Sequence, residues 1–102
     1  MEELQTLVIY DIPDDRIRNR LGEICKDYGL KRIQYSGFVG PLSRNKREEL
    51  CLKLKGALGD ERGKLLVQPI CEKDMKSLFA IENKAPKPDG AAEAADAPAS
   101  GQ

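Results

Sequence analysis

Asp11 has the clearest chemical potential in this chain. It lies near the end of the run Thr6-Leu-Val-Ile-Tyr-Asp-Ile12, and Pro13 follows directly. A β-branched and aromatic run stopped by proline reads as a strand. A carboxylate at a strand end can bind a divalent cation, and it can equally organise the turn Asp11-Ile12-Pro13-Asp14. Arg16, Arg18 and Arg20 come close behind, and Arg32 comes later. Guanidinium groups suit bidentate contact with phosphate. They also pack their stems while the heads stay in water. The chain has no histidine. That excludes histidine general bases, Ser-His triads and ordinary His-bearing zinc sites. Metal-assisted attack on a phosphodiester needs none.

The elements that must position Asp11 follow from spacing. Asp14 is a good helix cap, and its carboxylate suits the positive end of a helix dipole. Ile17, Leu21, Ile24, Cys25 and Tyr28 then recur at helical spacing, and Gly29 closes the helix. Residues 31–42 hold two short apolar stretches split at Ser36-Gly37, which read as two strands. Ser43 caps a second helix with apolar positions Leu50, Cys51, Leu54, Ala57 and Leu58, ended by Gly59. Lys64 to Cys71 reads as a strand whose Pro69 belongs at an edge or a bulge. After a short polar link, Leu78 to Ile81 reads as a brief last strand. The order β-α-β-β-α-β is the split-βαβ, ferredoxin-like pattern, an α+β fold with an additional C-terminal strand. Right-handed crossovers put both helices on one face of an antiparallel sheet.

The other face is then bare. Leu7, Ile9 and Asp11 point one way along the first strand, and Val8, Tyr10 and Ile12 point the other. A strand apolar on both faces is normally covered on both. A second copy of the chain, sheet against sheet, is the simplest cover and predicts a two-fold homodimer. The final strand and tail of the same chain are the alternative.

Length and composition bound the rest. The chain has 102 residues, 17 basic and 17 acidic side chains, and 40% hydrophobic residues. That fits one domain over 1–82. Residues 83–102 (NKAPKPDGAAEAADAPASGQ) lack aromatic and branched aliphatic side chains and read as a disordered Ala/Pro-rich tail. No apolar run approaches the ~20 residues of a membrane crossing. No signal peptide is expected, and Cys25, Cys51 and Cys71 form no C-x-x-C pair, so a cytoplasmic protein with reduced thiols is expected. Between Asp14 and Lys55, eleven basic side chains face six acidic ones. One basic face can hold a polyanion although the whole chain is neutral. A solvated helix surface has the same pattern. Arg44, Lys46 and Arg47 make a basic first turn of the second helix. That opposes the helix dipole unless an anion arrives.

The run Val8-Ile-Tyr-Asp-Ile-Pro-Asp-Asp-Arg-Ile-Arg-Asn-Arg-Leu21 resembles the opening of the small CRISPR-associated nuclease family ("Cas-two"), the second core protein of spacer acquisition. Lys31-Arg-Ile-Gln-Tyr-Ser-Gly-Phe-Val-Gly40 resembles that family's second motif, R-x-Q-x-S-x-F. The likeness covers residues 4 to about 82. Gly37 departs from it, standing where many members carry a branched residue; a looser bend is expected there.

The resemblance implies a ferredoxin-like homodimer whose last strand packs onto the partner's sheet. It implies a dimer that holds duplex DNA and bridges two dimers of the CRISPR integrase protein. It also implies metal-dependent hydrolysis of single-stranded RNA or double-stranded DNA, with magnesium or manganese as cofactor. Asp11 is then the expected catalytic and metal-binding residue, approaching its own copy across the two-fold axis. Arg18, Arg20 and Arg32 match basic positions of the motifs and are expected on nucleic acid, and Arg44, Lys46 and Arg47 are expected along a DNA backbone. Tyr10 and Phe38 match family aromatics that shape the site, although core packing is the commoner fate of such residues. A non-catalytic ferredoxin-like interaction or regulatory module remains the alternative function.

Overall fold

Why the first strand is central is visible in its alternation. In the computed structural model, which describes residues 2–83, β1 (Glu3–Asp11) buries Thr6, Val8 and Tyr10 on one face, with Ile12 just beyond its end. Leu7, Ile9 and Asp11 lie on the other face. Asp14 ends the following turn as an N-cap, its carboxylate accepting from the Ile17 amide at 3.1 Å, and α1 (Asp15–Asp27) begins. Gly29, at φ +83°, turns the chain out of α1 in a conformation that favours glycine. β2 (Lys31–Gln34) and β3 (Gly37–Ser43) form a hairpin around Tyr35 and Ser36. Ser43 ends β3 and caps α2 (Arg44–Leu58) by accepting from the Lys46 amide. β4 (Lys64–Ile70) and a short α3 (Glu72–Lys76) follow.

The strands lie in the order β2-β3-β1-β4, all neighbours antiparallel. This is the expected ferredoxin-like α+β arrangement. Both helices pack on the face carrying Val8, Tyr10, Phe38 and Leu42, where Leu21 and Cys25 of α1 and Leu50 and Leu54 of α2 complete the core. Each such fully buried aliphatic or aromatic side chain contributes about 1.5–3 kcal/mol. Pro69 sits in β4, an edge strand, as its missing donor demands.

Three details differ from the sequence reading. Glu72–Lys76 is a helical turn rather than a polar link. It starts from Cys71 with no side-chain cap, so it lacks the signature that marks α1 and α2. The additional C-terminal strand is not formed: Leu78 to Ile81 have no ladder partner among the described residues. A strand exists only through its neighbour, and this segment instead borders the open face of the sheet. With Leu7, Ile33, Val39 and Met75, it lines a groove of about 420 Å³. Finally, Gly37 is tight rather than loose: a Cβ there would come within 2.8 Å of the Gln34 side chain. The hairpin register shifts between Arg32 and Gln34, which turns Gln34 towards Gly37.

The open face is apolar. Ile9, Ile33 and Leu66 remain 37%, 52% and 56% exposed there, while Phe79 and Ile81 are 90% exposed. The expected tail lies outside the described residues, apart from Asn83. No described helix is long and apolar enough to cross a membrane.

Candidate nucleic-acid site at the end of the central strand

Asp11 ends β1 on the open face, exposed to solvent. The register sets Lys64, at the start of β4, directly across from it. Gly63 permits that approach. Its φ is +152°, and a Cβ there would strike the Ile12 side chain at 2.4 Å. Nothing in the sequence singles out Lys64. Only the pairing of β1 with β4 brings it beside Asp11, and spacing alone does not give that register.

Two of the expected arginines belong to this end of the molecule. Arg18 is not a free surface cation, since its side chain is only 16% exposed. Its Nη1 donates to the Ile12 carbonyl at 2.7 Å, and its Nη2 pairs with the Asp15 carboxylate. Arg18 therefore braces the turn that follows Asp11. Partial burial works against its charge, but the Tyr35 and Asp15 side chains outweigh that and raise its pKa. Arg32 lies over the Phe38 ring at 4.8 Å, and its Nη1 donates to the Tyr35 carbonyl at 2.6 Å.

Tyr10 and Phe38 are core residues, 3% and 0% exposed, with ring centroids 6.4 Å apart. They support this end from below rather than facing solvent. The Tyr10 hydroxyl and Arg18 Nε are buried without a protein partner among the described residues. Burial is the main reason the Tyr10 pKa is raised, so the phenol stays neutral. Gly22 leaves the room these groups need. A Cβ there would sit 3.2 Å from Arg32 Nη2 and 3.4 Å from the Tyr10 hydroxyl.

The other expected cations lie elsewhere. Arg20 is exposed on α1, in a groove shared with Ala57 and Leu58 near the end of α2. Arg44, Lys46 and Arg47 sit at the opposite end of the sheet. Ser43 pairs with Glu3 at the start of β1. Asp11 is eight residues further along the strand, about 26 Å away at ~3.3 Å per residue. Arg44 pairs with Glu48 at 3.3 Å and Lys46 with Glu49 at 3.8 Å, while Arg47 donates to the Leu42 carbonyl at 3.4 Å. The structure therefore gathers Asp11, Arg18, Arg32, Tyr10 and Phe38 at one end and leaves the α2 cluster at the other.

Among the described residues, no group of three or more His, Cys, Asp or Glu could hold a metal ion. Of Asp11, Asp14 and Asp15, only Asp11 has no side-chain hydrogen bond or ion pair among the described residues. Asp14 is engaged as a cap and Asp15 is paired with Arg18. A single carboxylate suits magnesium, which uses one or two carboxylates and fills its shell with water and substrate oxygens. It does not suit zinc, which takes three or four protein ligands.

Comparison with known proteins fits this layout. The family model described as CRISPR associated protein Cas2 matches residues 5–78. The chain belongs to the Cas2 family. That span runs from within β1 through α3 and thus holds every residue gathered around Asp11. The chain is 48% identical over 92 residues to a protein of Desulforudis audaxviator named CRISPR-associated endoribonuclease Cas2, covering 90% of this chain and 87% of that one. It is 38% identical to an Archaeoglobus fulgidus protein of the same name, numbered 1, covering 76% and 82%. Among solved structures, a hypothetical protein from Thermus thermophilus superposes with a TM-score of 0.67 at 26% identity, covering 83% of this chain and 96% of that one. Streptococcus pyogenes Cas2 also gives 0.67, at 14% identity, covering 78% and 100%; at that identity the likeness is one of fold.

Proposed function

We propose that this CRISPR-associated chain acts as a two-fold dimer that hydrolyses phosphodiester bonds with the help of a divalent cation. The observation that carries this reading is Asp11, an exposed carboxylate on the one sheet face that neither helix covers. An apolar face bearing Ile9, Ile33 and Leu66 loses contact with water when a second copy closes over it. Two Asp11 side chains brought near a two-fold axis repel each other unless a proton or a cation lies between them. The paired Asp11 carboxylates would hold magnesium or manganese, which would supply Lewis-acid polarisation of a phosphate and a more acidic water.

The chain's own residues do the rest. Arg18 fixes the turn after Asp11 through the Ile12 carbonyl. Arg32, propped on Phe38, adds positive charge at the same end of the sheet, on the helix side. Lys64, facing Asp11 across the ladder, offers a further cation to a phosphate oxygen. RNA is the favoured substrate, because the curated relatives are named endoribonucleases. The Asp11→Asn variant tests this. Cleavage of a labelled single-stranded RNA with magnesium should be abolished while binding persists. Cleavage at the wild-type rate would sink the assignment.

A second reading is favoured by the basic start of α2. Arg44, Lys46 and Arg47, distant from Asp11, suit the backbone of duplex DNA in a dimer that bridges integrase dimers during CRISPR adaptation. Arg44 and Lys46 pair with Glu48 and Glu49 in exposed, weak ion pairs, so exchange for phosphates costs little there. The two readings use different residues and can hold together.

A further inference from the structure

Tyr35 is the odd residue in the Asp11 end. It is 69% exposed at the tip of the β2–β3 hairpin, yet its backbone is held from two sides. Arg32 Nη1 donates to its carbonyl, and the Tyr10 amide donates to the Ser36 carbonyl at 3.0 Å. That second bond fixes the hairpin tip one residue away from Asp11 along β1. The ring is also backed: the Arg18 guanidinium lies 5.1 Å from its centroid, and Arg18 is itself tied to the Ile12 carbonyl and to Asp15. A turn residue serving only as a spacer needs no such support. An aromatic ring held rigid on one side and open on the other has little freedom left to lose on binding. Flanked by two arginines and next to a carboxylate suited to phosphodiester chemistry, it has the features of a base-stacking platform with cations for the backbone.

We propose that Tyr35 is a binding residue that stacks on an unpaired nucleobase of a single-stranded nucleic acid, setting the strand across Asp11. This rests on the reading that a nucleic-acid strand is the substrate, and it adds the source of the preference for single strands. In a duplex each base face is already covered by its neighbours, so the platform has nothing to receive. In a single strand a base can swing out onto the open side of the ring while its flanking phosphates meet Arg32, which is exposed.

The chain has no tryptophan, so Tyr35→Trp introduces a lone reporter at the site. With magnesium chelated, so that nothing is cut, oligouridylate should quench its emission. An abasic ribose-phosphate strand of equal length should quench it far less, and duplex RNA hardly at all. By fluorescence anisotropy, Tyr35→Phe should bind single-stranded RNA as the wild type does. Tyr35→Leu should bind roughly ten-fold more weakly, the size of one base–aromatic stack. Its affinity for the abasic strand should not change. Matching melting curves for Tyr35→Leu and Tyr35→Phe will show that the fold is intact. Equal affinity of Tyr35→Leu and wild type for the base-bearing strand overturns the proposal and leaves the phosphodiesterase reading standing. Wild-type protein that binds no single strand at all overturns both.

Discussion

The two ends of the sheet use their basic residues in opposite ways. At the Asp11 end, Arg18 and Arg32 direct their donors to backbone carbonyls, those of Ile12 and Tyr35. At the other end, Arg44 and Lys46 pair with glutamates on their own helix, where both partners are exposed. The first arrangement holds a turn and a hairpin in place beside a carboxylate. The second holds two exposed ion pairs that water already weakens, beside Arg47, which reaches the Leu42 carbonyl at 3.4 Å. Positive charge at the first end belongs to the architecture, whereas at the second it is available for exchange. The same residue type therefore has two roles, and only the location of its partners separates them.

Phe38→Ala strikes the first end hardest. It empties a fully buried ring site and removes the shelf under Arg32, and it should cost about 3–5 kcal/mol in chemical denaturation. A loss below ~1 kcal/mol would mean that this end is not built on the core as described. Changing Arg44, Lys46 and Arg47 together to Ala should have the converse profile. Unfolding free energy should move by no more than about 0.5 kcal/mol per site. Affinity for duplex DNA should fall at all sequences. The slope of log affinity against log salt should flatten by about one for each phosphate that the variant no longer neutralises. An unchanged slope removes the second end from nucleic-acid binding.

The cysteines sharpen the contrast between interior and rim. Burial pushes the Cys25 thiol up to about 11, so it should resist alkylation at pH 8 until the protein unfolds. Cys71, exposed ahead of α3, should react at once. Rapid modification of Cys25 in folded protein would show that α1 opens away from the sheet.

The smallest effect belongs to Tyr28, whose hydroxyl donates to Glu49 at 2.7 Å and ties α1 to the basic end of α2. That bond, helped by Lys46, lowers the Glu49 pKa, and the same bond raises that of Tyr28 to about 12. A lowered carboxylate pKa stabilises the fold above the unfolded value of ~4.3 and is lost as pH falls through the folded one. A raised phenol pKa stabilises below ~10 and is lost as pH rises through about 12. Tyr28→Phe should flatten both limbs of the stability–pH curve slightly, because the pair is exposed. Thermal melts from pH 3 to pH 12 would show it.

Much of this architecture was legible in the sequence, since local chemistry fixes it. Asp14 and Ser43 cap helices because each can accept from an amide three residues on. Gly29 ends α1 because its φ is positive. The β-α-β-β-α-β order correctly marked a sheet with one face that neither long helix covers. Register and long-range packing were not legible. Lys64 reaches Asp11 only through the β1–β4 ladder, and Arg18 turns inward because the Ile12 carbonyl needs a donor. The α2 cations lie far from Asp11 because a helix returning up the sheet must start at its lower edge. Leu78 to Ile81 have strand composition but no strand to pair with in a single chain, so composition alone misled there.

Spin labels on Asp11→Cys, in a background with Cys51 and Cys71 replaced by serine, test the central claim most directly. If two copies close over their open sheet faces, the labels should show strong short-range dipolar coupling at micromolar protein. Adding Ile9→Lys, which charges that face, should abolish the coupling. Labels that behave as isolated spins in a folded protein would contradict the account.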